Sequence, residues 1–342
     1  MRILQLCPHD TPPFDHICRG IGAAGMRLGV DVETVFLGPP SRDPEPQATY
    51  LSIEDLSDAN ALWRALRPYA ASNWGLVLAH RYRAYQGALR AGLPAQRMVA
   101  VAHEFGFFAR PLRRLDRLLR ARRVRFAGVS AVVAAELAGV AGAATVLPNI
   151  VDADVALHPP EEARRLLGLP ADGLVVGVVG RLHYKKRPAL ALQAFERLQM
   201  PAHLIFVGDG PERDQLDAAD GVVYAGNVPE ARRCFPGFDV LLHTGDRDAF
   251  GMVILEAMAA GVPVVTGRGS GPQYILGDLG FYAETDDAAG YAAALTAALT
   301  GQLEDGSNRI RWAQSAAARI TEEFSLDALA RALEELLPTN AG

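Results

Sequence analysis

Two carboxylates, Asp248 and Glu256, lie eight residues apart in a stretch whose residue types could bind a ligand. Asp248 lies in a loop after the apolar strand predicted at Val240–His243, and Glu256 is the only charged residue from 249 to 267. A carboxylate inside an apolar helix is costly unless it is hydrogen-bonded. Gly251 lets backbone approach a ligand at a helix start, whose free N–H groups attract anions. The stretch predicts a site for a phosphorylated, hydroxyl-rich ligand; the alternative is a strand–helix–strand unit with a solvated acid.

A basic loop follows a second apolar strand, which ends at Gly180. Arg181 and Lys186 are close enough along this loop to reach one anionic group. Arginine supplies a planar fork and lysine a compact charge, a pair suited to a diphosphate that gains negative charge as its bond breaks. Lys185 and Lys186 are the only lysines of the chain. We expect Lys185 and Arg187 to be solvated.

Together these motifs resemble the signature of retaining GT-B glycosyltransferases of the family-4 (group 1) type, which include many transferases of bacterial cell-envelope glycans. The match consists of Gly180, Arg181, Leu182 and Lys186 (G-R-L-x-x-x-K) and of Asp248 and Glu256 (acid-x7-acid). The resemblance implies that Arg181 and Lys186 stabilise the leaving diphosphate, that Asp248 meets the donor sugar and that Glu256 binds the ribose. The first acid of this family is usually Glu, so Asp248 is one methylene shorter.

The resemblance assigns further donor contacts to backbone groups. These residues are Gly208 and Gly210 (V-G-x-G-P), Asn227 and Val228 at a strand end, and Gly251, Met252 and Val253 at the helix start. A plain tight turn would use the first two glycines equally well. Gln273 and Tyr274 stand where the family often places an acid, a second departure near the sugar.

Two predicted strands of the N-terminal half end in histidine, at His80 and His103. Ligands of open α/β sheets bind outside the carboxyl ends of the strands. His103 resembles the histidine that lies near the donor sugar in many GT-B transferases, and the resemblance therefore implies a catalytic place for it. Either histidine is alternatively structural.

The segment Gly20–Gly25, GIGAAG, matches a dinucleotide-binding fingerprint letter for letter. That fingerprint must follow its strand immediately and open the helix. Here the strand ends at Cys7, and Pro12 and Pro13 intervene. We therefore predict that the glycines lie within or late in a helix and pack it against the sheet. A dehydrogenase, the alternative, would need this segment to bind NAD(H) or NADP(H).

The segment Arg110–Arg125 is the most basic of the chain. Its arginines are Arg110, Arg113, Arg114, Arg117, Arg120, Arg122, Arg123 and Arg125. Its leucines, Leu112, Leu115, Leu118 and Leu119, recur at helical spacing beside the single acid Asp116. This predicts an amphipathic helix that binds an anionic membrane surface or an anionic acceptor. The alternative is a helix that packs its leucines on the sheet. Nucleic acid is not favoured, because aromatics are scarce there and the chain is acidic overall.

The bulk composition indicates a two-domain protein. The chain has 342 residues, half of them hydrophobic. The formal net charge is +6 for residues 1–150 and −11 for the rest, which sum to −5. No stretch is apolar enough to span a membrane, and Met1 leads directly into a strand without a signal peptide. Three scattered cysteines fit neither a disulfide framework nor a metal site. We expect a cytoplasmic protein, peripheral at the inner face of the cell membrane if the basic helix binds lipid.

The expected fold class is α/β, namely the GT-B fold. It comprises two Rossmann-like domains facing across a cleft, with a C-terminal helix crossing back to the first domain. We predict an acceptor-side domain at 1–152, with the helix at about 324–337, and a nucleotide-sugar-binding domain at 153–322.

The resemblance implies a retaining, metal-independent glycosyltransferase with no permanently bound cofactor. It would move a sugar from a nucleotide-sugar, UDP- or GDP-linked, to a hydroxyl of a glycan or lipid-linked glycan. Lipopolysaccharide or another envelope polysaccharide is the expected product. The alternatives are a nucleotide-sugar epimerase, a soluble-sugar synthase and a non-enzymatic nucleotide-sugar-binding protein.

Overall fold

The computed structural model describes residues 1–41, 43–120, 123–216, 220–284, 286–304 and 306–338; within its helices, the side chains of 116, 117, 119, 120, 302–304 and 306 are not described. The chain divides into two compact units. Unit 1 comprises Met1–Ile150 and Glu323–Gly342, and unit 2 comprises Val151–Glu322. The predicted roles of the two domains, acceptor-side and nucleotide-sugar-binding, stay predictions.

Unit 1 is built on a parallel sheet. Its strands in the described residues are β1 (Arg2–Cys7), β2 (Asp31–Phe36), β3 (Ala48–Tyr50), β4 (Leu76–His80), β5 (Met98–Ala102), β6 (Arg125–Gly128) and β7 (Thr145–Val146). Their order is β3-β2-β1-β4-β5-β6-β7, with parallel pairing throughout. Strands such as β5, with every residue buried, read as continuous apolar runs because helices cover both faces of such a sheet.

Helices connect these strands. They are α1 (Phe14–Arg27), α2 (Ala59–Leu66), α3 (Arg81–Ala91), α4 (Pro111–Arg120) and α5 (Ala131–Ala141). Asp58 caps α2 and Ser130 caps α5 by accepting backbone N–H groups of the first turn. None of the helices that the described residues form is long and apolar enough to cross a membrane.

The GIGAAG segment lies inside α1, as predicted, and not at its start. A Cβ atom at Gly25 would come within 2.2 Å of Val32 in β2, so this glycine allows α1 to approach the sheet. A Cβ atom at Gly22 would meet nothing within 4 Å. The prediction of a packing role is confirmed for Gly25.

Helix α4 exposes the three leucines whose side chains are described. Leu112, Leu115 and Leu118 are 80%, 51% and 61% exposed, so the alternative in which they pack on the sheet is wrong. The rest of the predicted basic segment is incompletely described: residues 121 and 122, with Arg122, lie outside the described residues, as do the side chains of residues 116, 117, 119 and 120. The apolar stripe of α4 is therefore a surface feature.

Unit 2 repeats the architecture of unit 1. Its described strands are β8 (Leu174–Val179), β9 (Ala202–Val207), β10 (Val222–Gly226), β11 (Val240–His243), β12 (Val264–Thr266) and β13 (Phe281–Tyr282). They are parallel in the order β10-β9-β8-β11-β12-β13. Its helices are α6 (Pro160–Leu166), α7 (Pro188–Glu196), α8 (Met252–Ala259), α9 (Ser270–Leu276), α10 (Ala288–Glu304) and α11 (Gly306–Glu323).

The chain then returns to unit 1 through α12 (Leu326–Leu336), as predicted. Ser325 caps this helix, and Arg27 of α1 pairs with Asp327 at 2.6 Å. Leu329 and Leu333 are buried, and α12 packs along α1. The hydrophobic core of unit 1 is therefore completed by residues that follow unit 2 in the sequence.

Candidate functional site

At one position along the carboxyl edge of the unit 2 sheet, two neighbouring strands, β8 and β11, continue to strands on opposite sides. β8 pairs with β9 on one side and with β11 on the other, so the loops after β8 and β11 leave the sheet side by side. Open α/β sheets bind their ligands at such a switch point. The two predicted motifs lie on these two loops.

Lys186 from the first loop and Asp248 from the second are in direct contact. Lys186 Nζ lies 2.5 Å from Asp248 Oδ2, and His243 Nε2 lies 2.7 Å from the same oxygen. His243 ends β11 and is 5% exposed. Its Nδ1 lies 3.2 Å from the hydroxyl of Thr266, which ends the neighbouring β12. The structure thus brings together two predicted residues and adds His243 and Thr266, which sequence reasoning missed.

The charges around Asp248 hold it in the ionised form. Burial alone would raise the pKa of this carboxyl, but the hydrogen bond and charge of His243 and the charge of Lys186 hold it well below its ordinary value. Asp248 is therefore a carboxylate at pH 7.

The loop after β8 is fastened from several sides. The Thr244 hydroxyl donates to the carbonyl oxygens of Lys186 and Arg187, at 2.8 and 3.0 Å. Arg187 has a φ of 52° and pairs with Asp286 at 2.7 Å, so its predicted solvation is wrong. These contacts hold the backbone on which Lys186 is carried.

Arg181 stands apart from this cluster. Its side chain is exposed and has no hydrogen bond or ion pair with any residue that the structure describes. Lys185 is exposed as well, in line with its predicted solvation. Arg181 is thus an unpartnered guanidinium on the same loop as Lys186, and its predicted contact with a diphosphate stays a prediction.

Gly208 and Gly210 serve the packing of one loop against another. A Cβ atom at Gly208 would lie 2.1 Å from the carbonyl oxygen of Gly180, and one at Gly210 would lie 2.2 Å from that of Leu182. The Leu182 N–H donates to Asp209 O at 3.0 Å, which continues the sheet ladder into the loops. Glycine is therefore required at both positions because the backbones of the two loops are in close contact. Their predicted nucleotide contact is a separate matter and stays a prediction.

Helix α8 begins at the second loop and carries Glu256. Gly251 caps it with a φ of 99°, and the first backbone bond is that of Ile254 N–H to Gly251 O, at 2.9 Å. The N–H groups of Met252 and Val253 precede this ladder, as the first donors of any helix do. They are the donors that the sequence predicts for a ligand.

The Glu256 carboxylate has no hydrogen bond from the described part of the chain. It borders a cavity of about 20 Å³, with Arg232 and the segment 151–157 also in its lining. Burial raises the pKa of Glu256 to about 7, opposed by the positive charge of Arg232 and aided by Glu230. An unsatisfied, desolvated carboxylate of this kind is ready to accept ligand hydroxyls.

Asn227 and Val228 follow β10 at the same edge of the unit 2 sheet. Asn227 is exposed and Val228 is half-buried. The carbonyl of the preceding Gly226 accepts the Gly208 N–H at 2.7 Å, which fixes this strand end beside the loop after β9. The predicted base contact of Asn227 and Val228 stays a prediction.

His80 and His103 of unit 1 form a hydrogen-bonded pair. His80 Nδ1 lies 2.9 Å from His103 Nε2, and the other ring nitrogen of each is buried without a partner among the described residues. Both rings border a cavity of about 10 Å³. Burial lowers the pKa of His80 to about 3; burial, followed by the charges of His80 and Arg81, holds the pKa of His103 well below its ordinary value.

Both histidines are therefore neutral at pH 7. His103 presents no accessible ring nitrogen in this arrangement, because one nitrogen is bonded to His80 and the other is buried. The structural alternative describes this pair well, and the predicted contact of His103 with a donor sugar stays a prediction.

No group of three or more His, Cys, Asp or Glu residues in the described ranges is arranged to hold a metal ion. Positive charge at the unit 2 site is present on Lys186, and Arg181 lies on the same loop. Metal independence stays a prediction.

Comparison with known proteins identifies part of the chain. Residues 173–301 match the family model described as glycosyl transferases group 1. The chain contains a glycosyl transferases group 1 domain. This domain carries β8 to β13 and every predicted site residue except His103.

Curated relatives match about half of the chain. The lipopolysaccharide core biosynthesis glycosyltransferase LpsE of Rhizobium meliloti is 32% identical over 51% of this chain and 52% of its own length. A D-inositol 3-phosphate glycosyltransferase of Acidothermus cellulolyticus is 32% identical over 46% of this chain and 39% of its own length. The chain thus matches about half of the length of these relatives or less.

Solved structures extend the likeness of fold to the whole chain. Anabaena Alr3699/HepE in complex with UDP and glucose has a TM-score of 0.77 at 18% identity, covering 98% of both chains. WaaG, a glycosyltransferase involved in lipopolysaccharide biosynthesis, has a TM-score of 0.71 at 17% identity, covering 100% of both chains. The predicted GT-B fold class is confirmed.

Proposed function

We propose that the protein is a retaining glycosyltransferase that transfers a sugar from a nucleotide-sugar to a hydroxyl of an envelope glycan. The observation that carries the proposal is the ion pair of Lys186 with Asp248 at the switch point of unit 2, inside a group 1 domain. A lysine and a carboxylate there suit a ligand that is a phosphate at one end and a sugar at the other.

In the proposed reaction the bond from the sugar C1 to the diphosphate oxygen breaks, and a bond from C1 to the acceptor oxygen forms on the same face. The leaving diphosphate oxygen takes the proton of the acceptor hydroxyl. Lys186 and Arg181 stabilise the charge that develops on this oxygen. Asp248 positions the sugar, and the Glu256 carboxylate accepts the ribose hydroxyls. No metal ion is required, since the two basic side chains supply the positive charge.

The proposed donor is a UDP- or GDP-sugar. The uridine form is the first to test, because HepE has been solved with UDP, with UDP and glucose and with UDP-glucose. Backbone groups of Gly208, Gly210 and Asn227–Val228 would face the nucleotide, and those of Gly251–Val253 would face the donor phosphate or sugar.

The proposed acceptor is a glycan or lipid-linked glycan, as in lipopolysaccharide synthesis. Two named likenesses, LpsE and WaaG, support this direction. The exposed leucines of α4, flanked by Arg113 and Arg114, support a second element of the proposal, which is peripheral attachment to anionic lipid at the inner face of the cell membrane.

The donor proposal is tested by a binding screen of the purified protein. UDP-, GDP-, ADP- and dTDP-sugars are compared by thermal shift and by slow donor hydrolysis. We expect one nucleotide family to raise the Tm and Glu256→Ala to abolish that rise. Product released without an acceptor as an epimer or a soluble sugar would favour the epimerase or synthase. Binding without any turnover would favour a nucleotide-sugar-binding protein, and no response to any donor would reject the proposal.

The membrane proposal is tested by sedimentation with vesicles. We expect co-sedimentation with vesicles that contain anionic phosphatidylglycerol and loss of binding when Leu112, Leu115 and Leu118 are all replaced by Ser. Leu166→Ser in unit 2 is the matched control, because Leu166 is also exposed, by 47%. Equal sedimentation of the triple variant and the control would reject membrane attachment through α4.

A further inference from the structure

The Asp248 carboxylate uses one oxygen for the protein and keeps the other without a partner. Oδ2 receives Lys186 Nζ at 2.5 Å and His243 Nε2 at 2.7 Å. Oδ1 accepts no hydrogen bond from any residue that the structure describes. An ionised carboxylate has acceptor sites on both oxygens, so Oδ1 is available to a ligand hydroxyl.

His243 is the more rigid of the two groups that hold Oδ2. Lysine is a point charge on a flexible stem and gives an attached carboxylate little directional preference. His243 is almost fully buried at the end of β11, and its second ring nitrogen is fixed by Thr266 Oγ1 at 3.2 Å. Residues 243 and 266 are register partners in adjacent parallel strands, so the sheet itself orients the imidazole.

The bonding pattern also places one proton of the His243 ring. Oδ2 of an ionised carboxylate only accepts, so His243 Nε2 carries a proton. The Nδ1 atom of His243 is bonded to the Thr266 hydroxyl, which can accept from a protonated nitrogen or donate to an unprotonated one. A side chain that lacks the hydroxyl at position 266 would leave that nitrogen buried and unpaired, which is costly.

We propose that His243 is a positioning residue of the donor site, which holds Oδ2 of Asp248 so that Oδ1 faces a hydroxyl of the donor sugar. The inference rests on the proposed function, because it assumes that a sugar lies beside Asp248. Asp248 has one methylene fewer than the glutamate common in similar transferases, and the two-sided anchor fixes where this shorter chain ends.

The other described charged side chains of these loops make no hydrogen bond or ion pair with Asp248, and Arg181 and Lys185 are exposed. Asp246 and Arg247 lie 3.8 Å apart, and Arg187 pairs with Asp286. Among the described residues, Lys186 and His243 are therefore the charged or titratable partners of Asp248, and the loss of either changes the pKa of this carboxyl. This makes the titration of Asp248 a direct readout of the His243 bond.

The chain offers an unusual probe of that titration, because Lys185 and Lys186 are its only lysines. Protein labelled with ε-¹³C lysine gives two ε-carbon NMR signals, and Lys185→Arg assigns them. The Lys186 signal responds when Asp248 takes up a proton as the pH is lowered. We expect its midpoint to rise by about one pH unit or more in His243→Phe, which keeps a ring but loses both bonds.

Two further variants keep the test sharp. In His243→Gln the amide N–H can still donate to Asp248, so we expect a midpoint between those of the wild type and His243→Phe. Thr266→Val removes the anchor alone and leaves His243 in place, and we expect a smaller rise than in His243→Phe, whereas Thr266→Ser should match the wild type. An unchanged Lys186 midpoint in both His243→Phe and Thr266→Val would overturn the proposal.

Kinetics separate positioning from simple stability. We expect His243→Phe to lower the kcat of donor turnover by about 10- to 100-fold, with donor KM changed by about threefold at most, and His243→Gln to recover part of the loss. A lower Tm with wild-type kcat in the folded fraction would mean a structural role and would overturn the proposal. If the wild type turns over no donor, the proposed function fails, whereas the lysine titration still decides whether His243 holds Asp248.

Discussion

The carboxyl edges of the two parallel sheets are chemically opposite. In unit 2, Lys186, Asp248 and His243 form a cluster of charged and polar partners around one carboxylate oxygen. At the corresponding edge of unit 1, His80 and His103 form a buried pair whose depressed pKa values keep both rings neutral at pH 7. Both edges lie on sheets with the same kind of parallel strand order.

This difference shows that the architecture alone does not determine what an edge binds. A doubly wound sheet provides the place, and the side chains at the strand ends decide the electrostatics there. The unit 2 edge combines a cation with unsatisfied acceptors, which suits a charged ligand with hydroxyls. The His80–His103 pair of unit 1 suits stability or a neutral contact.

The largest effect is expected from removing the unit 2 cation. Lys186→Ala should lower turnover by about two to four orders of magnitude if Lys186 stabilises charge that develops on the leaving diphosphate. Arg181→Ala should act in the same direction. The measurement is steady-state donor consumption, and Lys185→Ala, on the same loop, is the control. Unchanged turnover in both Lys186→Ala and Arg181→Ala would mean that the cations at the carboxyl edge of unit 2 have no role in the reaction. The two sheet edges would then not differ in function in the way described above.

The next effect concerns the Glu256 carboxylate and has a predictable pH dependence. Because its pKa is raised to about 7, we expect donor Kd to tighten as the pH rises through 7, where the carboxylate forms. Glu256→Gln should weaken donor binding by about 10- to 100-fold at pH 8, since bonds to a charged acceptor are strong. Calorimetric titration at pH 6 and pH 8 measures both; equal affinity at the two pH values would contradict the assignment.

The same carboxyl has the opposite effect on stability. Its ordinary pKa is 4.5, so between pH 4.5 and 7 the unfolded state has lost a proton that the folded state retains. The free energy of unfolding therefore falls as the pH rises through this window. Glu256→Gln should remove that fall, which urea unfolding at several pH values will show.

The His80–His103 pair should produce a dependence of the reverse sign. The pKa of His80 is lowered to about 3 from an ordinary 6.5, so the unfolded state binds more protons between these values. The contribution of the pair to the free energy of unfolding is fully present above pH 6.5. It falls as the pH drops, by up to about 1.4 kcal/mol per pH unit for each histidine. His80→Asn should reduce this slope in urea unfolding between pH 7 and 5. A slope equal to that of the wild type would mean that burial does not lower the pKa of His80 in the folded protein.

The smallest effect compares two glycines of α1. Gly25→Ala forces a Cβ atom against Val32 and should lower the free energy of unfolding by about 1–3 kcal/mol. Gly22→Ala has open space and should raise it by about 0.5–1 kcal/mol, because alanine favours the helix. Urea unfolding of both variants measures the difference. Equal effects would contradict the packing role of Gly25.

The sequence alone predicts the framework of unit 2 closely where local pattern decides it. The strand predicted at Val240–His243 is β11, because an apolar run bounded by a polar loop is a strong local signal. The placement of GIGAAG inside α1 also follows from local pattern, since Pro12 and Pro13 separate it from β1.

Contacts between distant residues are less accessible from sequence. Lys186 and Asp248 are 62 residues apart, and their contact depends on β8 and β11 being neighbours. His243 was missed because a histidine at a strand end looks the same whether it holds a catalytic acid or fills a core. Its position five residues before Asp248, at the strand end that opens the loop, was the available signal. The pairing of Arg187 with Asp286, 99 residues away, gave no local signal at all.

The return of α12 to unit 1 has a consequence for synthesis on the ribosome. When residues 1–150 have emerged, the helix that covers α1 has not yet been translated, since residues 151–325 come first. At about 5–20 residues per second, the growing chain waits roughly 10 to 35 s with the α12-facing side of α1, including Gly20, uncovered. Most of unit 2 is translated within that interval. The nascent protein therefore passes through a state in which most of unit 2 has been made while the core of unit 1 is still incomplete, and a chaperone would find its target on the N-terminal unit.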